Sequence, residues 1–173
     1  ELTERLEGEH RPGHFQGVTT VVTKLFLLTG PSVAVFGRKD YQQWRIVERM
    51  ARDLDIPVEV LGHPIVREAD GLALSSRNRY LSEDERERAL GLARGLHAAA
   101  QAWAAGTREA ETLVEVARGP IEERVDRIDY VAVVDPETLL PGAGVLQRGL
   151  VVVAAHVGAT REGQLRRRRD VQT

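Results

Sequence analysis

A chain of 173 residues, 42% of them hydrophobic, can build one ordinary domain or a partial domain with a small second one. The absence of cysteine excludes disulfides and thiolate metal sites, and a net charge of -2 gives no general attraction to nucleic acid or membrane. The polar start from Glu1 to Arg5 is not a signal peptide, and no apolar run approaches the ~20 residues of a membrane span, so a reducing cytoplasm is the expected setting.

Phe15, Val18, Val21, Val22, Leu25 and Phe26 recur at helical spacing until Gly30-Pro31 ends the run. Val33 to Phe36 is short, apolar and partly β-branched, which predicts a buried parallel strand stopped by Gly37. Tyr41, Trp44, Val47, Ala51 and Leu54 mark one face of an amphipathic helix, and Pro57 opens a second strand over Val58 to Leu61. Helix, strand, helix, strand predicts an α/β layer with a parallel sheet. From Asp70 to Arg79 the residues are small and polar without a period, as in a loop. Ser82 and Glu85 form a capping box for a long helix through Ala89, Ala93, Leu96, Ala100 and Trp103. Gly106-Thr107 breaks that helix, and a second, through Leu113, Val114 and Ala117, is expected to end at Gly119-Pro120. Ile128, Tyr130, Ala132 and Val134 alternate like a half-buried strand, Asp135-Pro136 turns, and Leu150 to Val157 is a last strong strand.

Two loops carry residues suited to chemistry. Phe36 to Gln43 lies where a parallel strand hands over to a helix, the edge at which open α/β sheets bind ligands. There Gly37 admits a ligand to the backbone, the helix start favours an anion, and Lys39 supplies a point charge for phosphate. It is one of only two lysines among 24 basic residues. Asp40 can accept from ribose hydroxyls, and Gln43, one turn on, can bond a hydroxy acid. The same residues also suit a solvated helix start with Asp40 as its cap. Leu74-Ser75-Ser76-Arg77 offers two hydroxyls and a guanidinium that can wrap a triphosphate, or else an ordinary linker with a helix cap. His10-Arg11-Pro12-Gly13-His14 has one residue too many for the His-x-Gly-His signature of adenylyltransferases and reads as a loop, with Arg11 near a site rim. His63, His97 and His156 read as structural, Trp44 and Trp103 as core, and Arg166 to Arg169 as a solvated tail. No metal-ligand spacing is present.

In order, the segments His10 to Val18, Phe36 to Gln43 and Val66 to Leu81 resemble pantothenate synthetases, a similarity that runs from about Leu6 to Arg161. The resemblance implies a partial Rossmann-type nucleotidyltransferase domain with a parallel sheet, residues 1–74, and a small α+β C-terminal lid domain, residues 75–173. It implies an ATP-dependent ligase, working with Mg2+, usually a homodimer. Pantoate would attack the α-phosphate of ATP, and β-alanine would then displace AMP to give pantothenate, the coenzyme A precursor. No nucleic acid or membrane partner is implied. By the same resemblance Gly37, Arg38, Lys39 and Asp40 line the ATP site, Gln43 holds pantoate, and Val66 meets the adenine side through its backbone. Leu74, Ser75, Ser76 and Arg77 form a mobile loop over the phosphates, with Lys39, Ser75, Ser76 and Arg77 stabilising charge.

Three departures shape the expectation. Gly37-Arg38-Lys39-Asp40 stands where the family has Gly-Glu-Lys-Asp, a charge reversal tolerated if the contact is through backbone. The first His-x-Gly-His segment, with its proton-donor His, is not found, and the chain opens without an initiator Met as if in mid-helix. It is therefore expected to be a fragment, inactive alone. The family's Thr-Arg-Leu-Ile-Asp-Asn after the last strand is replaced beyond Thr160-Arg161, so the closing strand is expected to be lost or replaced. Another class I adenylyltransferase, or a non-catalytic nucleotide-binding or dimerising relic, are the competing readings.

Overall fold

The computed structural model describes residues 2–158 and the backbone of residues 160–167. The chain divides into two compact units, Glu1–Ile65 and Val66–Thr173.

The first unit runs through α1 (Glu7–His10), α2 (His14–Thr29), β1 (Ser32–Gly37), a 3-10 turn (Arg38–Asp40), α3 (Tyr41–Asp53) and β2 (Val58–His63). As the α/β pattern predicts, β1 and β2 are parallel, in register from Ser32 opposite Val58 to Gly37 opposite His63. Phe26, Val47, Ala51 and Val58 form the core, with Val18, Val22, Ala34, Phe36 and Val60 packed on it. Alternation along β1 therefore turns Ala34 and Phe36 inward and leaves Val33 and Val35 57% and 63% exposed, so β1 is only half-buried. The same geometry corrects the stripe on α2. Val21 and Leu25 each sit one position off the Phe15–Val18–Val22–Phe26 face and are more than half exposed. His10 closes α1 and His14 opens α2, so only residues 11–13 turn, where a loop through all five was expected.

The second unit opens with Val66–Leu74, which folds back on itself. Arg67 and Ala73 form an antiparallel bridge, Leu74 N–H donates to the Val66 carbonyl at 2.9 Å, and Leu72 and Ala73 are fully buried. Ser76–Tyr80 is a 3-10 helix, so the stretch from Asp70 to Arg79 is structured, not a plain loop. The capping box forms as predicted: Ser82 Oγ accepts from Glu85 N–H and Glu85 answers on Ser82 N–H. Helix α4 (Glu83–Ala104) packs against α5 (Ala110–Glu122) on an antiparallel sheet of order β3 (Arg127–Val134), β4 (Leu150–Val157), β5 (Thr160–Arg167). Leu92, Leu96, Ala99, Ala117, Ile121, Val131, Val153 and Ala155 are its main core.

Three expectations are corrected here. Helix α5 does not end at Gly119-Pro120 but continues through Pro120 to Glu122, because burial of Ile121 holds the last residues in place. In β3 the fully buried side chains are Val131, Val133 and Val134, while Ile128, Tyr130 and Ala132 are intermediate. A bulge between Ile128 and Tyr130 inserts Asp129 and shifts the phase. The Asp129 side chain is buried beside Arg127 and His156, so His156 has a carboxylate neighbour 3.1 Å away. Finally, the closing strand is replaced in sequence and not lost: β5 pairs with β4 from Thr160 opposite Val157 to Arg167 opposite Leu150. An edge strand needs only backbone partners on one side, which this divergent, charged sequence still supplies. Arg166 and Arg167 thus belong to a strand and not to a tail; Arg168 and Arg169 lie outside the described residues.

Candidate functional site

In the first unit, β1 ends at Gly37 in extended conformation, and the 3-10 turn carries the chain into the start of α3. Lys39 is confined: its side chain is 14% exposed, and Nζ lies 3.8 Å from Asp40 Oδ1, whose carboxylate is 66% exposed. Asp40 does not cap α3 through its side chain, which removes the capping reading and leaves the first amide groups of that helix without a side-chain cap. The Arg38 guanidinium lies over the Trp44 ring at 5.3 Å, with Arg45 5.5 Å from the same ring. The guanidinium of residue 38 thus packs on an indole. Trp44 is buried as predicted, and Gly62 on β2 makes room for it, since a Cβ there would lie 2.7 Å from the indole. Gln43 is half-buried one turn beyond Lys39. Its neighbour Gln42 is buried and structural: Oε1 accepts from Glu7 N–H, and Nε2 donates to the carbonyls of Leu2 and Arg5.

In the second unit, Val66 and Leu74 are both exposed and joined by the Leu74 N–H bond to Val66. Ser75 Oγ accepts from Arg77 N–H at 3.2 Å, which shapes the turn and still leaves the Ser75 hydroxyl proton free to donate. Ser76 and Arg77 are exposed. Sequence reasoning passed over the support beneath them. Asn78 is buried and donates from Nδ2 to Glu68 Oε1 and to the Ala73 carbonyl. Arg86, on the first turns of α4, donates to Glu68 Oε2 at 2.6 Å and to Asp70 Oδ2 at 2.7 Å. Asp70 Oδ1 accepts from Leu72 N–H. The Asn78 amide and then Arg86 hold the Glu68 carboxyl below its usual range; the Leu72 amide and then Arg86 do so for Asp70. A single polar residue locked in an otherwise exposed turn is the only local sign, and Arg86 is too far along the chain for spacing to reveal. Among the described residues no three His, Asp or Glu side chains cluster as a metal cage.

Structure comparison finds the same fold in solved proteins. A pantothenate synthetase from Thermus thermophilus superposes with a TM-score of 0.91 at 46% identity, over 96% of this chain and 60% of that one. The family profile described as pantoate-beta-alanine ligase matches residues 1–162. The chain belongs to the pantoate–β-alanine ligase family. Among curated members of the family it is 52% identical to pantothenate synthetase 1 of Bradyrhizobium diazoefficiens over 93% of its own length and 57% of that protein. It is 53% identical to the pantothenate synthetase of Acidobacterium capsulatum over 93% of its length and 54% of that protein. The chain thus spans somewhat over half the length of these relatives. A Francisella tularensis pantoate–β-alanine ligase, solved in complex with β,γ-ATP and β-alanine, matches with a TM-score of 0.70 at 27% identity.

Proposed function

We propose that the protein carrying this sequence joins pantoate to β-alanine at the expense of ATP. The observation that carries this reading is the family match over residues 1–162, which takes in both turns described above. A pantoate carboxylate oxygen attacks the α-phosphorus of ATP; the bond to the β,γ-pyrophosphate breaks, giving pantoyl adenylate. The β-alanine amine, losing a proton, then attacks the acyl carbon and expels AMP. That the Francisella relative was solved with an ATP compound and β-alanine supports both substrates.

In such transfers the protein supplies position and charge. Lys39, with Gly37 and Arg38 through their backbones, takes the phosphates, Asp40 the ribose, and Gln43 pantoate. Val66 meets the adenine through its backbone. Leu74 packs at the rim, and Ser75, Ser76 and Arg77 donate to the departing pyrophosphate. Mg2+ arriving with the nucleotide would supply charge neutralisation at the phosphates. We further propose a homodimer, consistent with the uncovered apolar face at Val33 and Val35, and a cytoplasmic location; no helix among the described residues is long and apolar enough to cross a membrane. Light scattering at twice the chain mass would support the dimer, and a monomer would remove it.

The test of the reaction is pyrophosphate release with ATP by the complete protein that carries this sequence. Release that requires pantoate is expected. Release with another carboxylic acid and none with pantoate would replace this reading by that of an adenylyltransferase with a different acceptor.

A further inference from the structure

In the Ser75–Arg77 turn Ser76 and Arg77 are exposed and Ser75 partly so, and its own bonds are local: Arg77 N–H to Ser75 Oγ, and Asn78 N–H to the Ser75 carbonyl. Its two flanks are held by different means. On one side Leu72 and Ala73 are buried, Leu72 in a cluster with Ala89 and Val157. On the other a continuous polar chain runs from α4 into the 3-10 helix, from Arg86 to Glu68 to Asn78. Both neighbours of Asn78 Nδ2 are acceptors, so the amide orientation is fixed, and Glu68 uses one oxygen for Asn78 and the other for Arg86. Arg86 also reaches Asp70, whose other oxygen holds the Leu72 amide. One planar guanidinium thus locks both ends of the 68–72 turn to the helix. Lysine, a point charge, could not do so with the same geometry.

We propose that Arg86 is a positioning residue for the serine–arginine turn, acting through Glu68 and Asn78 to aim Ser75, Ser76 and Arg77 at the nucleotide. The proposal rests on the ligase reading for its catalytic consequence. Its geometry stands apart from that reading. Partly exposed ion pairs contribute little to stability, so this network matters for direction more than for folding.

The test compares Arg86→Gln with Arg88→Gln. Arg88 lies on the same helix and pairs with Asp126 in a network that does not touch the turn. In Arg86→Gln, trypsin cleavage after Arg77 and Arg79 should accelerate several-fold, while Arg88→Gln should cleave there like wild type. Pantoate-dependent pyrophosphate release should fall roughly 10–100-fold in Arg86→Gln, through kcat and the KM for ATP, with the KM for pantoate unchanged. Arg86→Lys should restore part of the rate. Adding Glu68→Gln to Arg86→Gln should cost little more than Arg86→Gln alone, because both act through one chain of bonds. The proposal is overturned if an active wild type is slowed equally by both arginine variants, or if the Glu68 and Arg86 effects simply add. The activity arms use the complete protein that carries this sequence, and if that protein releases no pyrophosphate the ligase reading fails at that control. The cleavage pattern would then decide by itself whether Arg86 shapes the turn.

Discussion

Lys39 and Lys24 are the only lysines in the chain, and their surroundings differ. Lys24 is exposed on α2, whereas Lys39 is largely covered at a strand-to-helix junction. A cation with restricted access to water gains more from a phosphate than a fully solvated one does. Lys39→Ala should therefore slow pantoate-dependent pyrophosphate release by roughly 10²–10³-fold, as loss of one charge-stabilising donor does elsewhere. Lys24→Ala should leave the rate as it is. Equal effects would reduce Lys39 to a surface charge. Glu68 and Asp70 yield a second prediction at this scale. Their folded values lie below the ordinary 4.5 and 3.8, so the stability they contribute is present above those ordinary values and is lost as pH falls through the lower, folded ones. The gap in Tm between wild type and Arg86→Gln should hold steady from pH 7 to about 5 and close in stronger acid. The gap will be small, because all three side chains are partly exposed. Thermal melts across this range check it, and a gap that widens in acid would contradict the assignment.

Helices α4 and α5 touch through glycine. A Cβ on Gly95 would lie 2.3 Å from the Ala117 carbonyl oxygen and 2.6 Å from Ile121 Cγ1. Two effects oppose each other in Gly95→Ala: helix propensity favours alanine by about 1 kcal/mol, and overpacking costs about 1–3 kcal/mol. Packing should win, since the obstructing oxygen belongs to the backbone of α5 and cannot rotate away. A lower melting temperature by circular dichroism is expected, and a neutral or stabilised variant would mean that the helices can separate cheaply. The same pair of helices shows what a sequence does and does not disclose. The capping box and the apolar stripe of α4 are local patterns and were legible. Where α5 ends was not, because Pro120 signals a stop while Ile121, buried from a distance, overrules it. In β3 the alternation was visible but its phase was not, since the bulge at Asp129 depends on pairing with β4. The two candidate turns stand out in the sequence because Gly37–Asp40 and Leu74–Arg77 are contiguous. Arg86 could not, because it reaches the second of them only through folding.

The two compact units differ in how completely they are sealed. The first has a two-stranded parallel sheet, and parallel pairs are normally covered on both faces. Here Val33, Val35, Leu25, Leu27 and Leu28 remain more than half exposed. The second has a three-stranded antiparallel sheet under two helices, with a larger buried set including Leu92, Leu96, Leu113, Ile121 and Leu150. Less apolar burial must offset a similar entropy per residue in the first unit, so its stability should be the lower of the two. Each unit holds one tryptophan, Trp44 in the first and Trp103 in the second, with Arg108 4.2 Å from the Trp103 ring centroid. Trp103→Phe then leaves a reporter for the first unit alone, and Trp44→Phe leaves one for the second. In urea, the Trp44 signal of this chain should change at a lower midpoint than the Trp103 signal, with a shallower slope because less surface is released. Two coincident midpoints with equal slopes would show one cooperative unit, and the exposed face of β1 would then be no liability to the fold.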